Sequence, residues 1–270
     1  MSNYEKTLRL WQSWNVRTEA DIDRRLDNFR ILFAYHSGKI ENEAITWHDT
    51  REIFENGKAL NFTGDPRALF EQRNQKQCYE LLKGKIAARE PLSIGLILGM
   101  HRVLTEGTYD ERRYVELGER PGAFKKHDYV TGRAEVGSLP EEVEGDLAAL
   151  LTELAELPEG ADTGAPGESA DSLGWVLKAG AYLHVRFEFI HPFADGNGRV
   201  GRTLLNYFLM THGHPPIVIH DEDKADYYAA LERYDVGEEL QPMADLLRGQ
   251  LERTWEKTLA REKKRGDLAL

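Results

Sequence analysis

Twelve residues, His191 to Arg202 (HPFADGNGRVGR), carry the groups needed to move a phosphorus-bound fragment onto a hydroxyl. Gly196 and Gly198 permit backbone conformations that other residues resist, and Pro192 cannot continue a helix, so the chain must turn sharply here. A turn that runs into a helix leaves the N–H groups of Gly196, Asn197 and Gly198 unpaired at the positive end of the helix dipole, which is an anion site. Arg199 and Arg202 lie three residues apart and share a helix face. Each guanidinium offers planar two-pronged contact to phosphate oxygens, and two of them imply more than one phosphate. Asp195 adds a carboxylate where a cation bridging those phosphates would sit, the usual setting for Mg2+. His191 completes the set, because an imidazole with an ordinary pKa of ~6.5 can take a proton from a hydroxyl as it attacks phosphorus. Phe193 reads as the apolar anchor that turns inward and seats the loop.

Such a loop must be held between two helices, and its flanks supply them. Leu173, Val176, Leu177, Gly180, Leu183 and Phe187 recur at helical spacing before it, and Val200, Leu204, Leu205, Phe208 and Leu209 after it. The same spacing links Ile22, Arg25, Leu26, Phe29, Leu32 and Phe33, and again Leu147, Leu150, Leu151 and Leu154, so the chain reads as all-α. The best strand candidate is 123–136, where Phe124, Tyr129, Val130 and Val136 flank His127, Asp128 and Gly132 and predict a short β-hairpin flap. Residues 158–172 (PEGADTGAPGESADS) lack apolar periodicity and read as a flexible loop. From Arg248 the chain reads as an amphipathic helix ending in a basic run that complements its dipole.

Composition sets outer limits. The 270 residues are 41% hydrophobic and 30% charged, as in soluble globular proteins, and no apolar run approaches the ~20 residues that span a bilayer. The opening MSNYEKTLRLWQSW lacks a basic stretch followed by an apolar run, so export is not expected. A lone Cys78 excludes an internal disulfide and a cysteine-built zinc site, and fits a reducing compartment such as the cytoplasm. A formal charge of −11 repels nucleic acid, leaving a small nucleotide bound by local cations as the polyanion of choice.

The loop resembles the signature of the Fic family: histidine, any, Phe, any, Asp or Glu, Gly-Asn-Gly-Arg, two residues, Arg. Every specified position matches. The similarity extends through His184, Phe187 and Ile190 before the loop, and through NYFLMTHGHPPIVI and Tyr227, Tyr228 and Leu231 after it, over about residues 30–250. The resemblance implies a Fic-type helical bundle that transfers AMP from ATP to a Ser, Thr or Tyr hydroxyl of a protein, with pyrophosphate leaving. His191 would be the base, and Asp195 would hold Mg2+ (or Mn2+) on the α and β phosphates. Asn197 and the loop amides would stabilise the α-phosphate, and Arg199 with Arg202 would grip the β and γ phosphates. Relatives that phosphorylate instead tend to have Ala and Lys where this chain has Gly196 and Gly198, which favours AMP transfer. Asn206 and Tyr228 match positions near the nucleoside, and His101 matches a structural position.

Two further stretches carry the resemblance. In AYHSGKIENEAIT, Ser37 and Glu41 share a helix face and precede Asn42, similar to the family's inhibitory motif. There the glutamate pairs with the second signature arginine, so Glu41 is expected on Arg202, misaligning the γ-phosphate. In some similar proteins this glutamate also positions water to remove AMP. The stretch 122–136, and in particular Gly122, Ala123, Phe124, Lys125 and Lys126, corresponds to the flap that aligns an extended target segment by strand addition. The expected organisation is an N-terminal helical region over 1–95 with the inhibitory helix at about 30–45. It is followed by a core over 96–250 and a C-terminal helix and basic tail over 251–270. Expected partners are ATP and a protein with an exposed hydroxyl in an extended segment, which could be this chain itself; a homodimer is allowed for, and no membrane or direct nucleic-acid contact is expected. The rival readings are another nucleotide or phosphate-containing donor, and a nucleotide-sensing binding protein.

Overall fold

The computed structural model describes residues 1–59, 62–129, 137–156 and 172–265. Ten α-helices occur among them: α1 Asn3–Ser13, α2 Glu19–Glu41, α3 Trp47–Asn56, α4 Pro66–Ala87, α5 Ile94–Thr105, α6 Val143–Glu156, α7 Ser172–Ile190, α8 Asn197–Thr211, α9 Lys224–Gly237 and α10 Gln241–Arg265. Capping residues set several starts. Thr18 caps α2 through Asp21, Thr46 caps α3 through Asp49, and Asp65 caps α4 just before Pro66 at its first turn.

The α7–α8 hairpin is the centre of the bundle. Val176, Leu177, Leu183 and Phe187 of α7 meet Val200, Leu204, Leu205 and Phe208 of α8 in one core, all at most 4% exposed. Helices α2, α4 and α5 lie against α8, and α6, α9 and α10 against α7. Trp11, Trp14, Phe29 and Trp255 stack at the junction of α1, α2 and α10, so the N-terminal helix shares the same core as the C-terminal one. Helix α10 passes residue 250 without a break.

The expected hairpin is not found among the described residues, where no strand occurs. Its two described flanks bond to the catalytic loop and the end of α7: Lys125 N–H donates to the Pro192 carbonyl (3.0 Å) and Ser138 N–H to the Ile190 carbonyl (3.0 Å). Residues 130–136 of that stretch, and 158–171 of the expected flexible loop, lie outside the described residues.

Three histidines, His101, His184 and His214, are fully buried, and burial pushes their rings down to about 4, about 3 and about 4. The unfolded chain, titrating near ~6.5, therefore binds more protons than the folded one between roughly pH 4 and 6.5. Stability should be complete above that window and fall as pH drops through it, by up to ~3 kcal/mol per ring at ~1.4 kcal/mol for each tenfold change. Thermal melts at pH 7.5, 6 and 5 should show Tm falling by on the order of 10 °C. A Tm constant across those values would refute the account.

Candidate functional site

The loop from His191 to Gly196 is built by the ends of α7 and α8. At its start His191 adopts φ +49 as α7 ends, its N–H still donating to the Phe187 carbonyl. At its finish Gly196 stands at φ +84 as the N-cap of α8, and a Cβ there would lie 2.5 Å from Thr105 Cγ2. Phe193 is buried as expected, stacked flat on the His101 ring at 3.7 Å between centroids. His101 Nε2 contacts the Asp195 carbonyl (3.1 Å), and its Nδ1 accepts from Gly122 N–H (2.9 Å), so α5 clamps the loop through one neutral imidazole.

Helix α8 begins at Asn197, so its first-turn N–H groups face the loop without intrahelical partners. The Asn197 side chain is committed elsewhere. Its Oδ1 accepts from Phe193 N–H (2.9 Å) and its Nδ2 donates to the Phe193 carbonyl (2.7 Å), so it braces the loop and leaves anion contact to the backbone.

Both arginines are buried, at 2% exposure each, and both are held by acids from other helices. Arg202 donates to Glu41 Oε1 (2.7 Å), to Ser37 Oγ (3.0 Å) and to the Ser37 carbonyl (3.1 Å), so the pairing expected from α2 is present in the geometry. Burial opposes ionisation of Glu41, but the Arg202 charge and hydrogen bond outweigh it and hold the carboxyl below its ordinary range. Gly198 makes room for the pair, since a Cβ there would sit 2.5 Å from Glu41 Oε1 and 2.9 Å from Arg202 Nη1. Asn42 caps the end of α2 and takes Ala44 N–H on its side chain.

Two residues of α4 that sequence reasoning missed complete the charge network. Glu71 Oε1 binds Arg199 Nη1 (3.1 Å) and Arg67 Nε (3.0 Å), while Arg67 Nη2 donates to Asp195 Oδ2 (2.6 Å). Their sequence signal, an Arg and a Glu four apart on a helix, is that of any surface ion pair. Asp195 thus already carries a cation, and its carboxylate is of the oxygen type that Mg2+ or Mn2+ takes. With one protein oxygen in the loop, such an ion would draw its other ligands from phosphates and water. Among the described residues, the group able to offer three ligands lies instead where His36 meets Asp221 and Glu222. If Arg67 competes for Asp195, Arg67→Met should tighten Mn2+ binding to the ADP complex roughly fivefold, the value of a partly exposed pair near 1 kcal/mol. Calorimetry reporting the same Mn2+ affinity in both proteins would remove Arg67 from that role.

His191 faces a cleft of about 620 Å³ lined also by Glu41, Gly198, Arg202, Tyr228 and Glu232. Burial, then the Lys125 charge, push its imidazole down to about 4, so the ring is unprotonated at neutral pH. Tyr228 lies in this cleft, 43% exposed. Asn206 does not. Its side chain donates to the Ile217 carbonyl (2.8 Å) and accepts from Ile217 N–H (2.7 Å), so each polar end is bonded to backbone and pins the segment after α8. Tyr227 is buried and bonds His184 Nε2 (2.9 Å).

Among the described flap residues, the N–H groups of Gly122, Ala123, Lys125 and Lys126 go to His101, the Arg120 carbonyl, the Pro192 carbonyl and Glu119. Phe124 packs on Phe193 at 6.0 Å.

Comparison with known proteins agrees with this geometry. Residues 91–209 match the Fic/DOC family profile. The chain is 29% identical over 218 residues to the protein adenylyltransferase fic-1 of Caenorhabditis briggsae, covering 77% of this chain and 37% of that one. It is 30% identical over 208 residues to the protein adenylyltransferase Fic of Drosophila persimilis, covering 76% and 36%. The chain thus spans a little over a third of the length of these relatives. In structure it resembles a Fic domain containing signaling protein from Bacteroides thetaiotaomicron, with TM-score 0.76, 25% identity and 97% coverage of both chains. It shares its fold with Fic-1 (residues 134–508) from Caenorhabditis elegans, with TM-score 0.73, 24% identity and 97% and 73% coverage.

Proposed function

We propose that this chain, whose residues 91–209 match the Fic/DOC family, is a protein adenylyltransferase, moving AMP from ATP to a Ser, Thr or Tyr hydroxyl of a protein and held at rest by Glu41. The observation that carries this reading is the meeting, in one cleft, of an unprotonated His191 with Arg202 and the N-terminus of α8. In the transfer, the hydroxyl oxygen bonds to the α-phosphorus while the bond from that phosphorus to the α,β-bridging oxygen breaks. Pyrophosphate leaves, and His191 accepts the hydroxyl's proton. The free first-turn amides of α8 face developing charge on the α-phosphoryl oxygens, and Arg199 and Arg202 grip the departing phosphates. Asp195 would hold Mg2+ or Mn2+, which when bound neutralises phosphate charge.

Glu232 and Asp235 line the acidic side of the cleft and are acceptors suited to a base with an amino group, which adenine has and uracil lacks. The protein target would lie along the outer side of the flap. No described helix is long and apolar enough to cross a membrane. Cys78 is buried with its thiol pushed up to about 12, an inert residue that fits a reducing compartment such as the cytoplasm.

Intact-mass spectrometry of the Glu41→Gly protein, given Mg2+ with ATP, GTP, CTP or UTP in turn, tests the reading. An AMP increment with ATP, on the protein or on an offered target, is the expected result. A phosphate increment alone would replace it with kinase chemistry, and nucleotide binding with no adduct on any protein would favour a nucleotide sensor.

A further inference from the structure

Lys125 is 2% exposed, yet its Nζ, shielded from solvent, has no hydrogen-bond partner among the described residues. A buried ammonium normally pairs with a carboxylate or extends its head to water, because three unsatisfied donors and a charge are costly to strip of solvent. Asp128 contributes a favourable field but no hydrogen bond. The placement of Lys125 is not incidental: its own N–H donates to the Pro192 carbonyl, one residue beyond His191. Nζ and the His191 side chain border the same small space beside Gly137. A Cβ built on Gly137 would lie 3.4 Å from Nζ and 3.9 Å from His191 Cβ.

We propose that Lys125 is a catalytic residue whose Nζ donates a hydrogen bond to a nonbridging oxygen of the α-phosphoryl group during transfer. The inference rests on the nucleotidyl-transfer reading of the site. Arg199 and Arg202 stand on α8 and are paired with Glu71 and Glu41, while Lys125 approaches from the flap on the His191 side and is hydrogen-bonded to no acid. The group that must touch both His191 and a fresh cation is the one undergoing attack, the α-phosphoryl, whose oxygens gain charge as the bond to the leaving group loosens. Docking of an acidic residue of a protein target does not suit a head group so fully enclosed. The Lys125 charge also repels a proton from His191, so the one cation serves both partners of the attack.

The test compares AMP with adenosine, which differ by the α-phosphate alone, binding without metal to the Glu41→Gly protein and to its Lys125→Met and Lys125→Arg derivatives. Lys125→Met should weaken AMP by about tenfold and leave adenosine within about twofold, with Lys125→Arg keeping most of the AMP affinity. The methionine variant should also melt higher by a few degrees, since it removes an unpaired buried charge, whereas a structural lysine would lose stability. Equal effects on the two ligands, or none, would overturn the proposal while leaving the transfer reading intact. Failure of the parent protein to bind either ligand would instead sink the transfer reading and this inference with it. Lys125→Gln carries the same comparison if the methionine variant folds poorly.

Discussion

Glu41→Gly should raise the rate of AMP transfer by roughly 10- to 100-fold, the effect of restoring one fixed cation to the phosphate clamp at ~1.4 kcal/mol per tenfold. In the resting geometry Glu41 and Ser37 take three hydrogen bonds from Arg202, leaving its fork turned toward α2. Removing the carboxylate leaves Nη2 with the Ser37 carbonyl alone, while the Ser37 hydroxyl still steadies Nε, so the guanidinium stays near the loop. Glycine is tolerated at this place because residue 41 closes α2 at its C-terminal end, where helix propensity matters least. The change should also cost about 3 kcal/mol of stability, since a nearly buried arginine loses its ion-pair partner, although the cleft admits some water. ATP with Mg2+ should restore Tm by supplying a new anion, and more so than in wild type. Autoradiography with α-labelled ATP and melting curves with and without nucleotide read both effects. Equal transfer by the two proteins would remove Glu41 as a brake.

His191→Ala in the Glu41→Gly background should lower transfer by at least about a thousandfold, within the range seen for loss of a general base, while ATP affinity stays within about threefold. The imidazole stands at the mouth of the loop and hydrogen-bonds no phosphate-gripping group, so its loss leaves Arg199, Arg202 and the α8 amides in place. With the ring pushed down to about 4 by burial and by Lys125, the base form is complete at neutral pH. The kcat/KM profile should therefore be flat from about pH 7 to 5 and fall only as pH approaches 4, instead of declining through the ordinary imidazole value of ~6.5. A profile breaking near 6.5 would show that the ring is solvated in the working enzyme. Transfer surviving His191→Ala would assign the proton to another group.

The catalytic loop was readable because its chemistry is local. The turn at Pro192 and Gly196, the anion-binding helix start, and the two arginines of one helix face all follow from spacing within 12 residues. Helix periodicity likewise placed α2, α6, α7 and α8 to within a few residues, since an apolar stripe of period 3.6 has one structural use in a soluble chain. Glu41 could be named from its motif beside Ser37, although its contact with Arg202 spans 161 positions.

Tertiary structure alone decided the rest, because each remaining assignment depends on which partner reaches a polar group first. Asn206 looked like a nucleoside contact, but both ends of its side chain bond the Ile217 backbone and it does not line the cleft of His191. Asn197 was expected to meet phosphate and braces Phe193 instead. The flap's alternating pattern suggested paired strands, but nothing in it told that its described flanks bind Pro192 and Ile190. Arg67 and Glu71 read as an ordinary helix pair until α4 docked beside the loop and set them on Asp195 and Arg199. Lys125, one more charge on a loop in the sequence, became an enclosed cation only when the flap folded against His191, for burial and the absence of a partner are properties of the packed chain.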